Sequence, residues 1–197
     1  GDGTLTALHL LARMADTGEA LIIGDTPLDV AVALHPSERL RLHHANGSAC
    51  RMDDFLPLTT DLPPGGLKVL TPVGGRSSNG TLPFMDLQRD GSGLILAIGW
   101  SGQWMVRLER DTEAIRIAAG MERTHLRLHP GEKIRTPRIL LLPWQGDDAE
   151  AGNNLLRRLL MDHYLPRLDG QLVMPPTAQC LQAHFYLTGQ ASERIER

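Results

Sequence analysis

The fold class of this chain is decided by the stretch Leu94–Ile117, LILAIGWSGQWMVRLERDTEAIRI. It begins with a compact apolar run and passes through a short Ser-Gly-Gln loop. Val106 and Leu108 then alternate with charged residues, and Ile115 and Ile117 repeat that alternation after an Asp-Thr break. An apolar residue at every second position places one face of a strand against a core. The stretch therefore predicts consecutive β-strands joined by short turns.

The same period of two recurs on both sides of this stretch. Turn dipeptides separate the apolar runs, and Asn46-Gly47 is typical of a hairpin turn. Strands at such short spacing with turns between them indicate an antiparallel β-sandwich. The further predicted strands lie at Leu28–Leu34, Leu40–Leu42, Leu126–Leu128 and Ile139–Leu142.

One segment has the period of a helix instead. Asp147 or Asp148 can cap a helix that runs to about Tyr164, with four leucines on one face, and Pro166 ends it. We expect a mainly β chain with three parts: a β-sandwich domain at 1–146, a linking α-helix region at 147–170, and the start of a second domain at 171–197.

Composition excludes several classes of protein. Of 197 residues, 42% are hydrophobic, which is enough to fill a core, and the net charge of −3 comes from dispersed charges. We therefore expect no nucleic acid as a partner and no membrane, because the apolar runs are too short to span a bilayer. The two cysteines exclude a disulfide framework.

The histidines predict no metal site. His125 and His129 are four residues apart in a predicted strand, which separates them by about 13 Å, too far to share one ion. His43 and His44 are adjacent and face opposite sides of a strand. We interpret all four as surface or rim residues. No other pattern predicts a cofactor.

Motifs for nucleophilic or phosphate chemistry are incomplete. Gly99–Gly102 resembles a nucleophile elbow, but the second glycine comes one residue early. Gly74–Gly80 lacks the Gly-Lys-Ser/Thr end of a phosphate-binding loop. The carboxylate pairs Asp53–Asp54 and Asp147–Asp148 are better explained by a turn and a helix cap than by the paired acids of a glycosidase. We therefore assign no catalytic residue.

The tryptophans leave two interpretations open. Trp100 and Trp104 flank the Ser-Gly-Gln loop, and indole rings at a loop tip are typical platforms for sugar rings. Equally, either ring can pack in the core.

Several stretches in order resemble the amino-terminal region of bacterial α-galactosidases of glycoside hydrolase family thirty-six, in the melibiase clan. The resemblance spans roughly 28–167, with a weaker match at 175–186. The residues that carry it are Gly75–Gly80 with Leu82–Phe84, Leu94–Trp104, Gly120–His125, His129–Glu132, Arg135–Pro137, Leu140–Trp144 and Asn153–Arg167.

This resemblance implies a β-supersandwich ahead of a (β/α)8 catalytic barrel, of which 171–197 would be the truncated start. It also implies that the catalytic aspartates lie beyond residue 197, so the chain alone is expected to be inactive. The expected role is the non-catalytic sandwich of a retaining hydrolase of terminal α-galactosides, which supports the barrel and walls the sugar pocket.

The implied partners are the missing barrel, an α-galactoside or oligosaccharide, and a second copy of the chain. A bacterial cytoplasmic location is expected, with export left open. The alternatives are a stand-alone carbohydrate-binding module and an assembly module. The residues predicted to contact sugar are Arg76, Ser77, Ser78, Asn79, Trp100 and Trp104.

Overall fold

The computed structural model describes residues 21–23, 28–34, 37–123, 136–146, 148 and 150–174. These residues form antiparallel sheets and one helix, α1, at Glu150–His163. The strands are β1 Leu21–Ile23, β2 Leu28–Ala33, β3 Arg41–Ala45, β4 Pro57–Asp61, β5 Leu67–Leu70, β6 Phe84–Arg89, β7 Ser92–Gly99, β8 Trp104–Arg110, β9 Ala114–Met121, β10 Arg138–Gln145, β11 Arg167–Leu168 and β12 Gln171–Leu172.

Two antiparallel sheets share one core. The larger has six strands in the order β1-β10-β7-β6-β3-β4, and the smaller has four in the order β2-β9-β8-β5. Leu96 and Leu141 of the larger sheet and Val106 and Ile117 of the smaller belong to one buried apolar cluster. The antiparallel sandwich predicted from the alternating pattern is confirmed.

The larger sheet is also buried on the face away from this core. Ile95 and Leu142 are cross-strand partners with no more than 2% exposure, although each alternates with core residues along its strand. Burial on both faces explains why β7 and β10 have nearly continuous apolar sequences. Pro143 lies within β10, opposite Leu94.

The first turns of α1 help to cover that face. Asp148 caps the helix, because its Oδ1 accepts a hydrogen bond of 2.9 Å from the Glu150 N–H. Two residues after the start of the helix, a Cβ at Gly152 would lie 2.6 Å from Trp144 Nε1. The indole of Trp144 also fills the space where a Cβ at Gly93 would be. The predicted helix and cap are therefore confirmed, and the glycine permits its close approach to the sheet.

Two compact units divide the chain, Gly1–Arg158 and Leu159–Arg197. The second contains the hairpin β11–β12, which the sequence analysis did not predict. Its two-residue turn is Asp169-Gly170, with φ of 50° and 79°, as a type I′ turn requires. The domain limits at 146 and 170 stay a prediction, and most of the predicted third segment, like the strand at Leu126–Leu128, lies outside the described residues.

The predicted hairpin turn at Asn46-Gly47 is wrong. Asn46 forms a bridge with Thr81, and the connection from β3 to β4 continues to residue 56. Gly47 is needed for a different reason: any Cβ there would overlap the Ser78 carbonyl group. The glycine permits close approach between two loops rather than a tight reversal of the chain.

Candidate functional site

Three described loops meet at one end of the sandwich. They are residues 46–56 after β3, 71–83 after β5 and 100–103 after β7. The antiparallel pairing of these strands places their ends together. Five of the six predicted sugar-contacting residues belong to the second and third loops: the four at positions 76–79, and Trp100, which lies at least 21 residues further along the chain.

Gln103 fixes the position of the loop 71–83. Its Oε1 accepts a hydrogen bond of 2.9 Å from the Gly75 N–H, and its Nε2 donates to the Pro72 carbonyl at 2.6 Å. Within the loop, Asn79 Nδ2 donates to the Val73 carbonyl at 2.9 Å. The sequence analysis missed Gln103, since a glutamine in a short loop carries no signal of the partners that it will find.

The neighbouring loop 46–56 is fixed by a carboxylate. Asp54 accepts hydrogen bonds from the Ala49 N–H at 2.8 Å and the Cys50 N–H at 3.0 Å. The Ala49 bond is the main reason that the pKa of Asp54 is lowered. Asp53 is held separately by Arg51. These contacts fit the prediction that Asp53 and Asp54 belong to a turn rather than to a catalytic pair.

The two loops are joined directly, since the Ser48 N–H donates to the Ser78 carbonyl at 2.8 Å. Arg76 and Ser78 are exposed, and Ser77 and Asn79 are half-buried. We call the surface formed by the loops 46–56, 71–83 and 100–103 the loop end. Its loops are joined by hydrogen bonds, and the Arg76 side chain is exposed on it. Contact of these four residues with sugar stays a prediction.

The tryptophans have different environments. Trp104 is 0% exposed and donates its Nε1 hydrogen to the Ser77 carbonyl at 2.8 Å. The prediction that it stacks on sugar is wrong, because its faces are covered by the core; it anchors the loop instead. Trp100 is half-buried and packs against the core cluster. A sugar-stacking role for Trp100 stays a prediction.

A second polar cluster lies on the outer face of the larger sheet. Asp86, which is 6% exposed, accepts hydrogen bonds from Trp144 Nε1 at 2.9 Å and from Gln88 Nε2 at 2.7 Å. Burial raises the pKa of Asp86, because the charged form loses its hydration. Sequence reasoning missed this cluster, since polar residues at alternate positions of β6 suggest a solvent-facing side.

The interpretation as surface or rim residues is wrong for His44, which is buried, whereas it fits His43, which is half-buried. His43 is the cross-strand partner of Asp86, its Nδ1 lies 3.1 Å from Thr59 Oγ1, and its Nε2 is buried. His44 points to the other face, where burial lowers its pKa. His125 and His129 lie outside the described residues.

Within the described part of the chain, no three His, Cys, Asp or Glu side chains are placed to hold a metal ion. Nor does that part contain a helix long and apolar enough to cross a membrane.

Comparison with solved structures gives matches to sugar-cleaving enzymes. The α-galactosidase of Lactobacillus brevis matches 75% of this chain with a TM-score of 0.54 and 21% identity. The chain has an α-galactosidase-like fold. A variant of AgaA, a family 36 α-galactosidase of Geobacillus stearothermophilus in complex with 1-deoxygalactonojirimycin, matches 73% of the chain with a TM-score of 0.54 and 20% identity. Another AgaA variant, in complex with stachyose, matches 76% with a TM-score of 0.53 and 20% identity.

The α-galactosidase-like region covers 20% to 21% of the length of these enzymes, so the chain corresponds to about a fifth of each. No family model matches the sequence. No curated protein matches it either. The resemblance identified from the sequence is therefore confirmed at the level of the fold.

Proposed function

We propose that this chain is the non-catalytic β-sandwich part of an α-galactosidase-like glycoside hydrolase that acts on terminal α-galactosides. The observation that carries the proposal is the match of about three quarters of this chain to about a fifth of the Lactobacillus brevis α-galactosidase. In this proposal the catalytic aspartates belong to a barrel domain that the chain does not include.

The contacts of the acidic residues support a non-catalytic role. Asp54 accepts hydrogen bonds within its own loop, Asp53 pairs with Arg51, and Asp148 caps α1. A retaining glycosidase needs two carboxyl groups about 5–5.5 Å apart across a sugar. These three carboxylates are instead used by local structure.

The loop end is the surface that we propose to contact the barrel and wall the sugar pocket. Met52 and Phe55 in one loop and Val73 in its neighbour are exposed apolar residues. Exposed apolar groups that cluster on linked loops are typical of an interface with another domain. Arg76 lies in the same pair of loops and can donate several hydrogen bonds to sugar hydroxyls.

The proposal is tested with a longer polypeptide that contains this chain and the coding sequence beyond Arg197. The substrate is a chromogenic aryl α-galactoside. We expect hydrolysis by the longer polypeptide and none by the 197-residue chain. In the longer polypeptide, Arg76→Ala should raise KM more than it lowers kcat, because the residue binds sugar without taking part in bond cleavage. Arg39→Ala is the matched control, since Arg39 is an exposed arginine at the opposite end of the sandwich.

Turnover by the 197-residue chain would contradict the non-catalytic role. A longer polypeptide that cleaves no α-galactoside would contradict the substrate class. A stop codon directly after Arg197, together with galactoside binding that Trp100→Ala abolishes, would favour the carbohydrate-binding module.

A further inference from the structure

A cavity of about 330 Å³ lies on the outer face of the larger sheet, beside the first turns of α1. It is within the range of small-molecule sites, about 300–1,000 Å³, at the lower end. Strands β3, β4, β6 and β7 and the helix all contribute to its lining. The polar residues that line it from the outer face of the sheet and from the helix are His43, Thr59, Asp86, Gln88, Glu150 and Asn153.

The sheet side of the cavity carries fixed hydrogen-bonding groups. Asp86 is held in place by Trp144 and Gln88, so its carboxylate does not need to reorganise when a ligand arrives. His43 is oriented by Thr59 through Nδ1, and no described group hydrogen-bonds its buried Nε2. A buried polar atom without a partner costs free energy, and a ligand hydroxyl that reached it would remove that cost.

The helix side adds polar groups at the rim. Glu150 and Asn153 are exposed, lie one helical turn apart and both line the cavity. Leu156 follows one turn later, and Phe84 lies in the lining at the start of β6. The cavity therefore combines acceptors, donors and apolar side chains within a space of small-molecule size.

The acceptors, donors and apolar side chains of the cavity favour one class of ligand over others. The carboxylates of Asp86 and Glu150 disfavour an anion, and the described residues offer no three-ligand set for a metal ion. A sugar-like ligand presents hydroxyl donors to carboxylates and C–H faces to groups such as Phe84 and Leu156.

We propose that the cavity between β6 and α1 binds a small neutral polyhydroxylated ligand of monosaccharide size. The site uses Asp86, Glu150 and Asn153 as hydrogen-bonding groups, with His43 as an additional partner. It is separate from the loop-end residues Arg76 and Trp100, and it requires no barrel domain.

The test uses the 197-residue chain, with methyl α-galactopyranoside, methyl α-glucopyranoside and glycerol as probes. Binding is measured by calorimetry and by the side-chain amide NMR signals of Gln88 and Asn153. We expect saturable binding of at least one probe, with shifts of both amide signals. Asn153→Ala should weaken binding about fivefold, the effect of one lost hydrogen bond. Asn154→Ala is the matched control, because Asn154 is an exposed asparagine of the same helix that does not line the cavity.

Asn154→Ala should leave the affinity within about twofold of the parent chain, a difference smaller than one hydrogen bond. Urea unfolding of each variant confirms that it is folded. The inference is overturned if no probe binds up to its solubility limit, if Asn153→Ala binds as tightly as Asn154→Ala, or if Trp100→Ala abolishes binding. Its outcome is independent of hydrolysis by the longer polypeptide, so the two proposals fail separately.

Discussion

Replacing Gly152 with alanine should reverse the usual effect of this substitution in a helix. Alanine normally stabilises a helix relative to glycine by up to about 1 kcal/mol. At this position, however, the new Cβ would lie 2.6 Å from Nε1, 2.7 Å from Cδ1 and 2.9 Å from Cε2 of Trp144. Ordinary contacts between heavy atoms are about 3.5–4.0 Å. Either the indole or the helix must therefore move by nearly 1 Å.

The indole has little freedom to move away. Its other side occupies the space above Gly93, and its Nε1 donates to Asp86 at 2.9 Å. Forcing an extra methyl group into such a contact costs about 1–3 kcal/mol. Stretching the hydrogen bond to a buried carboxylate adds about 1 kcal/mol. After the gain in helix propensity is subtracted, we expect Gly152→Ala to lower the free energy of unfolding by about 1–3 kcal/mol.

Urea unfolding followed by circular dichroism measures this change. Asn154→Ala is the control, because it adds an alanine to an exposed position of the same helix and should stabilise the protein by a few tenths of a kcal/mol. A Gly152→Ala variant as stable as the parent, or more stable, would refute the close packing of α1 against Trp144.

Two further predictions concern buried charges. Arg110 is 3% exposed and donates to the Leu62 and Glu38 carbonyls at 2.6 Å each. Arg110→Met should therefore cost about 2–4 kcal/mol, because both hydrogen bonds from a buried cation are lost. Arg107→Met, at an exposed ion pair, is the control and should cost less than about 1 kcal/mol in the same urea experiment. Because the pKa of Asp86 is raised, the folded state holds the carboxyl proton more tightly than the unfolded state does. The protonated Asp86 therefore adds to the free energy of unfolding at acid pH, and this contribution is lost as the pH rises from about 3.8 through the raised pKa. The parent chain should therefore lose stability relative to Asp86→Asn over that rise, and a constant difference in unfolding free energy across a pH series would contradict the burial of an ionisable carboxyl group.

Strand β8 was predictable from the sequence because one of its faces is exposed to solvent. In β8, Val106 and Leu108 face the core while Arg107 and Glu109 are exposed, so the period of two is complete. The helix cap at Asp148 could also be predicted from the sequence, because capping depends on a side chain and on backbone amides only a few residues away.

Features that depend on distant parts of the chain were not predictable in this way. Strand β6 was missed because its second face meets other protein groups, and Asp86 and Gln88 are satisfied there by each other and by Trp144, 58 residues from Asp86. Asn46-Gly47 was misinterpreted because the group that approaches the glycine comes from the loop 71–83. The sequence left open whether Trp104 is exposed or buried, since its burial depends on how the two sheets pack together.

Pro143 has a consequence for the hydrogen bonding of β10. It is buried and lies opposite Leu94 of β7, two residues before the strand ends. Proline has no N–H, so β10 presents a carbonyl oxygen but no donor at this position. One fixed position in a strand of eight residues therefore cannot donate to a neighbouring strand, and any shift of register would move that missing donor opposite a different residue of β7.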